Sequence, residues 1–519
     1  MGFQFFETFT TAVLFVITSL FLLYCWFQYK FTYWAKKGVS GPKPVFPFGN
    51  MRDVMKGKAQ FFEPYVQSYW QYKDLPYVGM YFFQEPALCI NDPDLAKVIL
   101  VKDFDNFQSH GFMEGGTGNP MTDHIFNLHG TAWKKLRNKM SPTFGTKTLK
   151  HMYSLIDEIA DEAADYAEML RSTEGSIDFS EFYSKYTMEI ISSVGFGIKS
   201  QKFKKENTEF HDRGCEFMAP KHWSAIRYLA IIAPTLFDTL RVPRYDSELQ
   251  NFYVNILTET VNYRKKHKYT RNDFLQALID LIELSWSLRS NNNICFCISV
   301  DSTDDEFTIN NIIANSMLYM VAGFDTSSIV GQCAAFHLAT HPDIQNRARE
   351  EVQAVLAKYD GKCTYEAQNE MVYLNMVFDE TMRLFPPMRA LFRKCTKDFI
   401  LPNTDIVIEE GTRIFIPVHS IHKDPNIFPD PEKFDPERFT AERKAKLHPC
   451  HWMPFGEGPR KCLGLRQGYI QTKIVLVKIL QKYEILLDEK TQVPLQLRCP
   501  GLSLGIKNGI WLKLKPLSS

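Results

Sequence analysis

The sequence has almost no net charge and few cysteines for its length. Its 60 Lys and Arg residues nearly balance 59 Asp and Glu residues, and the formal net charge is +1. Binding to nucleic acid therefore has no support from composition. Eleven cysteines in 519 residues are too few for the disulfide scaffold of a small secreted protein, and a chain of this size buries a core without cross-links. We expect mostly reduced thiols.

Residues 60 to 519 also lack a Gly/Ser-rich linker, a Pro-rich linker and any internal repeat. Length alone would suggest about three or four domains, but without linkers a single large catalytic domain fits better. No G-x-G-x-x-G motif follows a strand-like segment, so the chain has no dinucleotide fingerprint of its own. Hydrophobic residues make up 45% of the chain, which is typical of a folded protein with a core.

The N-terminal segment is long and apolar. The 22 residues between Glu7 and Lys30 are uncharged, which is enough for a helix to cross a hydrocarbon layer of about 30 Å. A cleaved signal peptide is the alternative, but it would have a positive N-terminal region and small residues at its exit. Positive charge instead follows the segment, which predicts a cytosolic main domain. We expect three parts: an anchor at residues 1–30, a basic and proline-rich linker at 31–59, and a catalytic domain at 60–519.

Hydrophobic periodicity predicts a mainly α fold with minor β sheets. Strand-like residues occur near Tyr77 and again between Phe399 and Pro417. An apolar-periodic stretch from Thr308 to Thr340 predicts a long helix that crosses the interior and stops before Pro342.

The most informative motif is F-x-x-G-x-R-x-C-x-G at residues 455–464. Its glycines permit positive φ angles and close backbone approach to a flat ligand. Arg460 offers a charged fork for a carboxylate, and Cys462 directly precedes a predicted helix N-terminus, where an anion is favoured. Phe455 begins the motif. The alternative is a buried structural cysteine beside a glycine-rich turn.

With this motif the chain resembles a cytochrome P450, the haem-thiolate monooxygenase family. The resemblance implies a single large haem domain of that fold, with haem b as cofactor and the Cys462 thiolate as its axial ligand. It extends to a buried charge cluster of Glu380, Arg383 and Arg438, which is implied to lock the core near the cysteine. It is closest to microsomal members, including the arthropod detoxification families and the vertebrate drug-oxidising clan.

The resemblance also implies residues on the oxygen-binding side of the haem. Residues 322–326 match A-G-x-D/E-T, in which the small pair leaves room over the iron. A hydroxyl that both donates and accepts, next to an acid, suits proton delivery to bound dioxygen. Asp325 and Thr326 are therefore the predicted catalytic residues, and an ordinary Thr hydroxyl bonded within its helix is the alternative.

Three further side chains are implied to lie at the haem carboxylates. Trp133 and Arg137 match W-x-x-x-R and share one helical face, and Arg393 resembles another propionate contact. His110 departs from the pattern because related members commonly carry Arg there, so its contact with haem stays open.

The implied function is insertion of one oxygen atom of O₂ into a lipophilic substrate, with electrons from NADPH through a separate flavoprotein reductase and cytochrome b-five as an optional donor. The location implied is the endoplasmic reticulum membrane, in contact with lipid, with a single span. A haem-thiolate isomerase or dehydratase without reductase is one alternative, and a non-catalytic haem sensor is another. The substrate pocket is implied to be apolar, with segments near Phe112, Met113, Pro120, Phe126, Met317, Met320, Phe324 and residues 388–391.

A set of cysteines and histidines and the segment 285–302 are not explained by the family resemblance. Cys295 and Cys297 with His448, Cys450 and His451 could suggest zinc, but the spacing lies outside usual zinc patterns. Residues 285–302 are longer and more apolar than a helix connection requires, and they are either a surface loop or a translated intron.

Overall fold

The computed structural model describes residues 2–111, 121–199, 203, 209–218, 246–290, 307–499 and 501–517. Cys295, Cys297, Phe112, Met113 and Pro120 lie outside these ranges, as does most of the unusual segment at residues 285–302. The fold is mainly helical with small sheets, which confirms the predicted class.

The helices fall into two groups by length. The longer ones are Gly2–Lys30, Gly130–Met140, Thr146–Glu174, Phe179–Ile190, Glu209–Met218, Ser247–His267, Phe274–Ser290, Ile309–Thr340, Pro342–Ala357, Val372–Leu384 and Leu465–Lys482. The shorter ones are Tyr33–Lys36, Arg52–Met55, Glu63–Gln71, Pro93–Lys97, Tyr365–Glu370, Val418–His422 and Ala441–Lys446.

The helix Ile309–Thr340, called the central helix below, crosses the interior as predicted. It begins with a capping box in which Thr308 and Asn311 exchange hydrogen bonds, so two orphan groups of the first turn are satisfied. Gly331 permits a close crossing, because a Cβ there would lie 2.1 Å from Cε1 of Tyr183. Phe179–Ile190 therefore packs directly on the central helix, and Leu465–Lys482 packs on it as well.

Nine strands form three small sheets among the described residues. They are β1 Tyr77–Phe82, β2 Glu85–Ile90, β3 Ile177–Asp178, β4 Leu391–Lys394, β5 Phe399–Ile400, β6 Val407–Ile408, β7 Arg413–Ile416, β8 Tyr483–Leu487 and β9 Trp511–Pro516. The largest sheet has the order β1-β2-β7-β4, with β2 and β7 parallel and the other pairs antiparallel. It places Arg393 of β4 beside the site described below.

The N-terminal helix differs from the others because its apolar side chains are exposed. The segment Thr8–Lys36 has a mean hydropathy of 2.0 and none of its most apolar window is buried. By length and composition it is a candidate membrane span.

The end of this segment, after Lys30, packs against the first sheet. The indole Nε1 of Trp34 donates to the Met80 carbonyl at 2.8 Å, and the Tyr81 hydroxyl donates to the Phe31 carbonyl at 2.8 Å. A Cβ at Gly79 would lie 2.6 Å from the Trp34 side chain, so glycine makes room for the indole. Residues 31–59, expected as a spacer, thus include groups that attach the N-terminal helix to the domain.

Candidate functional site

The cysteine loop, residues 454–464, is a tight turn closed by the Cys462 amide, which donates to the Phe455 carbonyl at 2.9 Å. Gly458 has φ of +75°, and a Cβ there would lie 2.0 Å from the Leu100 carbonyl oxygen. Both facts require glycine at this position. The Phe455 ring lies 5.5 Å from the Tyr469 ring, which ties the loop to the helix Leu465–Lys482.

The Cys462 side chain is accessible, and it lies close to two groups that favour a thiolate. Burial by the surrounding protein raises the pKa of the thiol, whereas the Gly464 N–H and the Arg137 guanidinium act to lower it. An accessible sulfur in surroundings dense enough to desolvate it is typical of a recessed ligand site.

Three arginines lie together near this loop and are called the arginine cluster: Arg137, Arg393 and Arg460. Arg137 Nη2 donates to the Lys461 carbonyl at 2.7 Å, which places it directly against the cysteine loop. Arg460 donates to the carbonyls of Gln108 and Ile125 at 2.9 and 2.8 Å. Its guanidinium also lies 4.4 Å from the centre of the Trp133 ring.

The arginine cluster has excess positive charge. Burial, followed by the charges of Arg393 and Arg137, lowers the pKa of Arg460 to about 9. Burial lowers the pKa of Arg393 to about 10. Within the described ranges no Asp or Glu pairs with any of the three. Buried cations normally have counter-charges, so the cluster is suited to an anionic ligand.

Two buried donors in or beside the cluster have no hydrogen-bond partner among the described residues. They are Nε1 of Trp133 and Nε of Arg393, and both side chains are at least 95% buried, with exposures of 5% and 3%. Such groups are rare because each costs about 1–3 kcal/mol when it stays unpaired. Together with the cluster they offer hydrogen bonds to a ligand with more than one carboxylate.

The central helix contributes the small pair Ala322 and Gly323. Ala322 is exposed although most of the helix on either side is buried. A Cβ at Gly323 would make only ordinary contacts, 3.7 Å from Ile191, so packing alone does not require glycine. Gln471, on the helix that follows Cys462, donates to the Ser327 hydroxyl at 2.6 Å. The small pair and the cysteine loop therefore belong to neighbouring elements.

The predicted acid and alcohol of this helix have separate partners. The Thr326 hydroxyl donates to the Ala322 carbonyl at 2.5 Å, the hydrogen bond within the helix that the alternative described. The Ser503 hydroxyl donates to Oδ2 of Asp325 at 2.8 Å. Burial raises the pKa of Asp325, while Ser503 and Arg498 act to lower it.

Ser503 was not predicted from the sequence. It lies in an irregular segment between β8 and β9 and 178 positions from Asp325. No local motif marks such a residue, since a lone Ser among turn residues usually bonds its own backbone.

The charge cluster forms as the resemblance implied. Glu380 and Arg383 are fully buried, and two hydrogen bonds of 2.6 and 2.8 Å join them. Arg438 adds a contact of 3.4 Å to Glu380. Burial raises the pKa of Glu380, and Arg383 opposes this shift.

A short relay of hydrogen bonds links this cluster to the cysteine loop. Arg383 Nη1 donates to the His422 carbonyl at 2.9 Å. The Met453 amide in turn donates to Nε2 of His422 at 2.9 Å. Gly456 then donates to the Met453 carbonyl at 3.0 Å. The position of the loop therefore depends on the buried ion pair.

The methionines expected near the substrate differ in how deeply they are buried. Met317 and Met320, expected near the substrate, are almost fully buried in the main core, whereas Met388 is only partly buried. In the part of the chain that is described, no group of three or more His, Cys, Asp or Glu side chains could hold a metal ion.

Comparison with known proteins gives a consistent assignment. Residues 39–512 match the family model described as Cytochrome P450. The chain is 34% identical over 507 residues to cytochrome P450 6k1 of Blattella germanica, which covers 96% of each chain. It is 35% identical over 493 residues to probable cytochrome P450 6a14 of Drosophila melanogaster, covering 93% of this chain and 95% of the relative. It is 32% identical over 514 residues to cytochrome P450 6a2 of the same fly, covering 98% and 99%.

The relatives span nearly the full chain, and the family is defined by haem bound through a cysteine thiolate. The fold, the cysteine loop and these matches agree, and the chain therefore belongs to the cytochrome P450 family of haem-thiolate monooxygenases.

Proposed function

We propose that this monooxygenase oxidises lipophilic compounds, with Cys462 as the thiolate ligand of haem b and with Trp133 and the arginine cluster at the haem carboxylates. The observation that carries the proposal is an accessible cysteine thiol beside three arginines, two buried and Arg137 partly buried, that have no carboxylate partner in the described ranges. Haem supplies both an iron for the sulfur and two carboxylates for the cations.

The residues present fit this cofactor. The unpartnered donors of Trp133 and Arg393 supply two hydrogen bonds in addition to those of Arg137 and Arg460. The Gly464 N–H and Arg137 favour a negative sulfur at Cys462. A thiolate-bound haem, when present, activates O₂ for insertion of one oxygen atom into a C–H bond.

Residues of the central helix would supply protons and space. Ala322 and Gly323 leave an opening in the buried helix because neither has a bulky side chain. The Thr326 hydroxyl donates its proton to the Ala322 carbonyl. The lone pairs of the Thr326 oxygen can still accept a hydrogen bond from a proton donor. Burial raises the pKa of Asp325, so its carboxyl group takes up a proton more readily than an exposed aspartate does, which suits proton transfer.

Electrons would come from another protein, by resemblance an NADPH-dependent flavoprotein reductase, with cytochrome b-five as an optional donor. Lys134, Lys135, Arg137 and Lys139 belong to the helix Gly130–Met140, whose Arg137 contacts the cysteine loop. Lys461 lies in that loop, and Arg466 lies in the helix that follows it. A basic face beside the thiolate suits an acidic redox partner.

The substrate class follows from the apolar side chains expected around the haem, and it includes foreign compounds and endogenous lipid-like or hormone-like molecules. The exposed apolar N-terminal helix supports a single span in the endoplasmic reticulum membrane with the catalytic domain in the cytosol. Contact with membrane lipid would give lipophilic substrates a short route to the enzyme.

The reduced, carbon-monoxide-bound difference spectrum tests the thiolate assignment. A thiolate-type Soret band is expected in the wild type and in Cys499→Ser, which changes another exposed cysteine. The band should be lost in Cys462→Ser. A band that survives Cys462→Ser would contradict the assignment.

Reductase dependence tests the monooxygenase reaction in the same preparation. Substrate-dependent NADPH consumption with added reductase is expected. A normal band with no reductase-dependent turnover would instead favour an isomerase, a dehydratase or a haem sensor.

A further inference from the structure

His110 lies beside the arginine cluster, at a position where the family resemblance implied an arginine. Its Nδ1 lies 2.8 Å from the backbone carbonyl oxygen of Phe126. A carbonyl only accepts hydrogen bonds, so Nδ1 carries the proton of the neutral ring. Nε2 is then left unprotonated, as an acceptor, and it has no hydrogen bond to any of the described residues.

The surrounding contacts fix the ring in this orientation. The imidazole stacks on the Phe126 ring, with 4.2 Å between centroids and an angle of 14°. Arg460 Nη1 donates to the same Phe126 carbonyl at 3.3 Å. His110 and Arg460 thus share one acceptor, and His110 belongs spatially to the cationic site.

Among the described residues, most charged groups near this imidazole are cationic. Arg393 approaches from β4, Arg460 from the cysteine loop and Arg413 from β7, where Glu85 neutralises it at 2.8 Å. Lys394 of the same strand as Arg393 lies beside the adjacent Gly111. His124 adds a titratable ring. Burial, then Arg393 and Arg460, lower the pKa of His110 well below its usual value. Without a neighbouring anion the ring is therefore neutral.

A carboxylate placed among these groups favours the protonated form of His110 over the neutral form. It neutralises the arginines that disfavour protonation, and it requires a donor where neutral His110 offers only a lone pair at Nε2. An arginine at this position would donate with no change in protonation.

We propose that His110 takes up a proton from solvent at Nε2 when haem binds, and donates the resulting N–H to a haem carboxylate. This inference rests on the proposed placement of the haem carboxylates at the arginine cluster. Proton uptake by His110 would make haem retention depend on pH in this chain. A permanently charged side chain at this position would not have that effect.

Proton uptake on binding means that the pKa of His110 is higher with haem bound than without it, and this difference sets the sign of the linkage. The contribution of His110 to haem affinity is complete at low pH and is lost as pH rises through that bound-state pKa. A single proton changes affinity by at most about tenfold per pH unit.

The test uses full-length holoenzyme in detergent and follows haem transfer to an excess of a haem-scavenging apoprotein between pH 5.5 and 8.5. Wild type is compared with His110→Arg, which keeps a cation and removes the titration. Effects of pH on Cys462 and on the scavenger are common to both and cancel in the ratio of rates. The wild-type rate divided by the variant rate should rise several-fold with pH, and a ratio that stays flat would overturn the proposal.

A second measurement covers the case in which His110→Arg does not fold. Histidine-selective ¹⁵N NMR of the ferrous carbon-monoxide form, which is diamagnetic, reports the protonation of each ring directly. The His110 signals are assigned by their loss in His110→Gln. Imidazolium shifts at pH 6.5 support the proposal, and neutral Nδ1–H shifts contradict it.

The difference spectrum distinguishes failure of the proposed haem site from failure of the proposed role of His110. Absence of a thiolate-type Soret band in the wild type would count against the proposed haem site itself. A normal band with a flat ratio would count against His110 alone.

Discussion

The Ser503 hydroxyl donates a 2.8 Å hydrogen bond to Oδ2 of Asp325, the acid of the central helix. The contact joins a segment near the C-terminus to the position where protons are expected to reach the haem. It also sets the direction of the carboxylate, because Oδ2 faces Ser503 and Thr326 bonds elsewhere. Ser503 is therefore a positioning residue for Asp325.

Replacement Ser503→Ala should raise the pKa of Asp325 further, because the ionised carboxylate loses a donor while burial remains. The inflection of the pH profile that reports Asp325 should move upward by about one pH unit. The measurement is the fraction of NADPH electrons recovered in product, followed against pH with reductase present. Ser503→Thr keeps the hydroxyl and should follow the wild type. Identical profiles for Ser503→Ala and wild type would show that the hydrogen bond has no role in proton supply.

Removal of the Arg383 side chain should be severely destabilising. It leaves Glu380 charged and fully buried, and breaking such a pair costs about 3–5 kcal/mol. Because His422 and Met453 connect Arg383 to the cysteine loop, haem content should fall as well. Thermal unfolding and haem content of Arg383→Ala are the measurements. The control is Lys446→Ala, whose ion pair with Glu442 is 73% and 79% exposed and should contribute little. Equal unfolding temperatures for the two variants would refute the structural role.

Replacement Gly458→Ala should displace the cysteine loop. Its positive φ costs a non-glycine residue about 1–2 kcal/mol, and the new methyl would overlap the Leu100 carbonyl. The thiolate-type Soret band should weaken strongly or shift. In Gly468→Ala the new Cβ lies 3.9 Å from Phe455 in a helix, so this matched variant should keep the band and gain about 0.5–1 kcal/mol of stability. Similar spectra for both variants would contradict the prediction.

The Trp133→Phe variant tests the unpartnered indole donor. It keeps an aromatic ring beneath Arg460 but removes Nε1–H, so haem should dissociate several-fold faster, as expected for loss of a hydrogen bond to a charged group. Haem transfer to a scavenging apoprotein measures the rate. Trp511→Phe is the control, because its Nε1 donates to the Asn508 carbonyl at 3.1 Å in an exposed region. No difference between the two variants would remove Trp133 from the proposed carboxylate site.

Local sequence predicted the elements whose signals are local. The long helix ending before Pro342 follows from periodicity and a proline stop, and the structure confirms it with Ile309–Thr340. The mainly α class with minor sheets is confirmed too. The assignments of Cys462, Trp133 and the arginine cluster remain predictions, although the structure brings those side chains near one another.

Long-range partners could not be predicted in this way. Ser503 and His422 act through contacts with residues far along the chain, and nothing in their own neighbourhoods distinguishes them from turn or helix residues. The packing of Trp34 against Met80 was also missed, because a proline-rich, basic segment has the composition of a spacer. The composition of a segment indicates how it behaves in isolation. The roles of Ser503, His422 and Trp34 depend instead on their contacts with distant residues.

The attachment of Trp34 limits how far the catalytic domain can move away from the N-terminal helix. Only four positions separate Lys30, the last residue of that helix, from the indole that is bonded to Met80. A fully extended tether of four residues reaches about 14 Å. If the helix is inserted in a bilayer, the first sheet is held within about that distance of the headgroups. The fold itself, and not a flexible linker, then determines how the enzyme is oriented relative to the membrane.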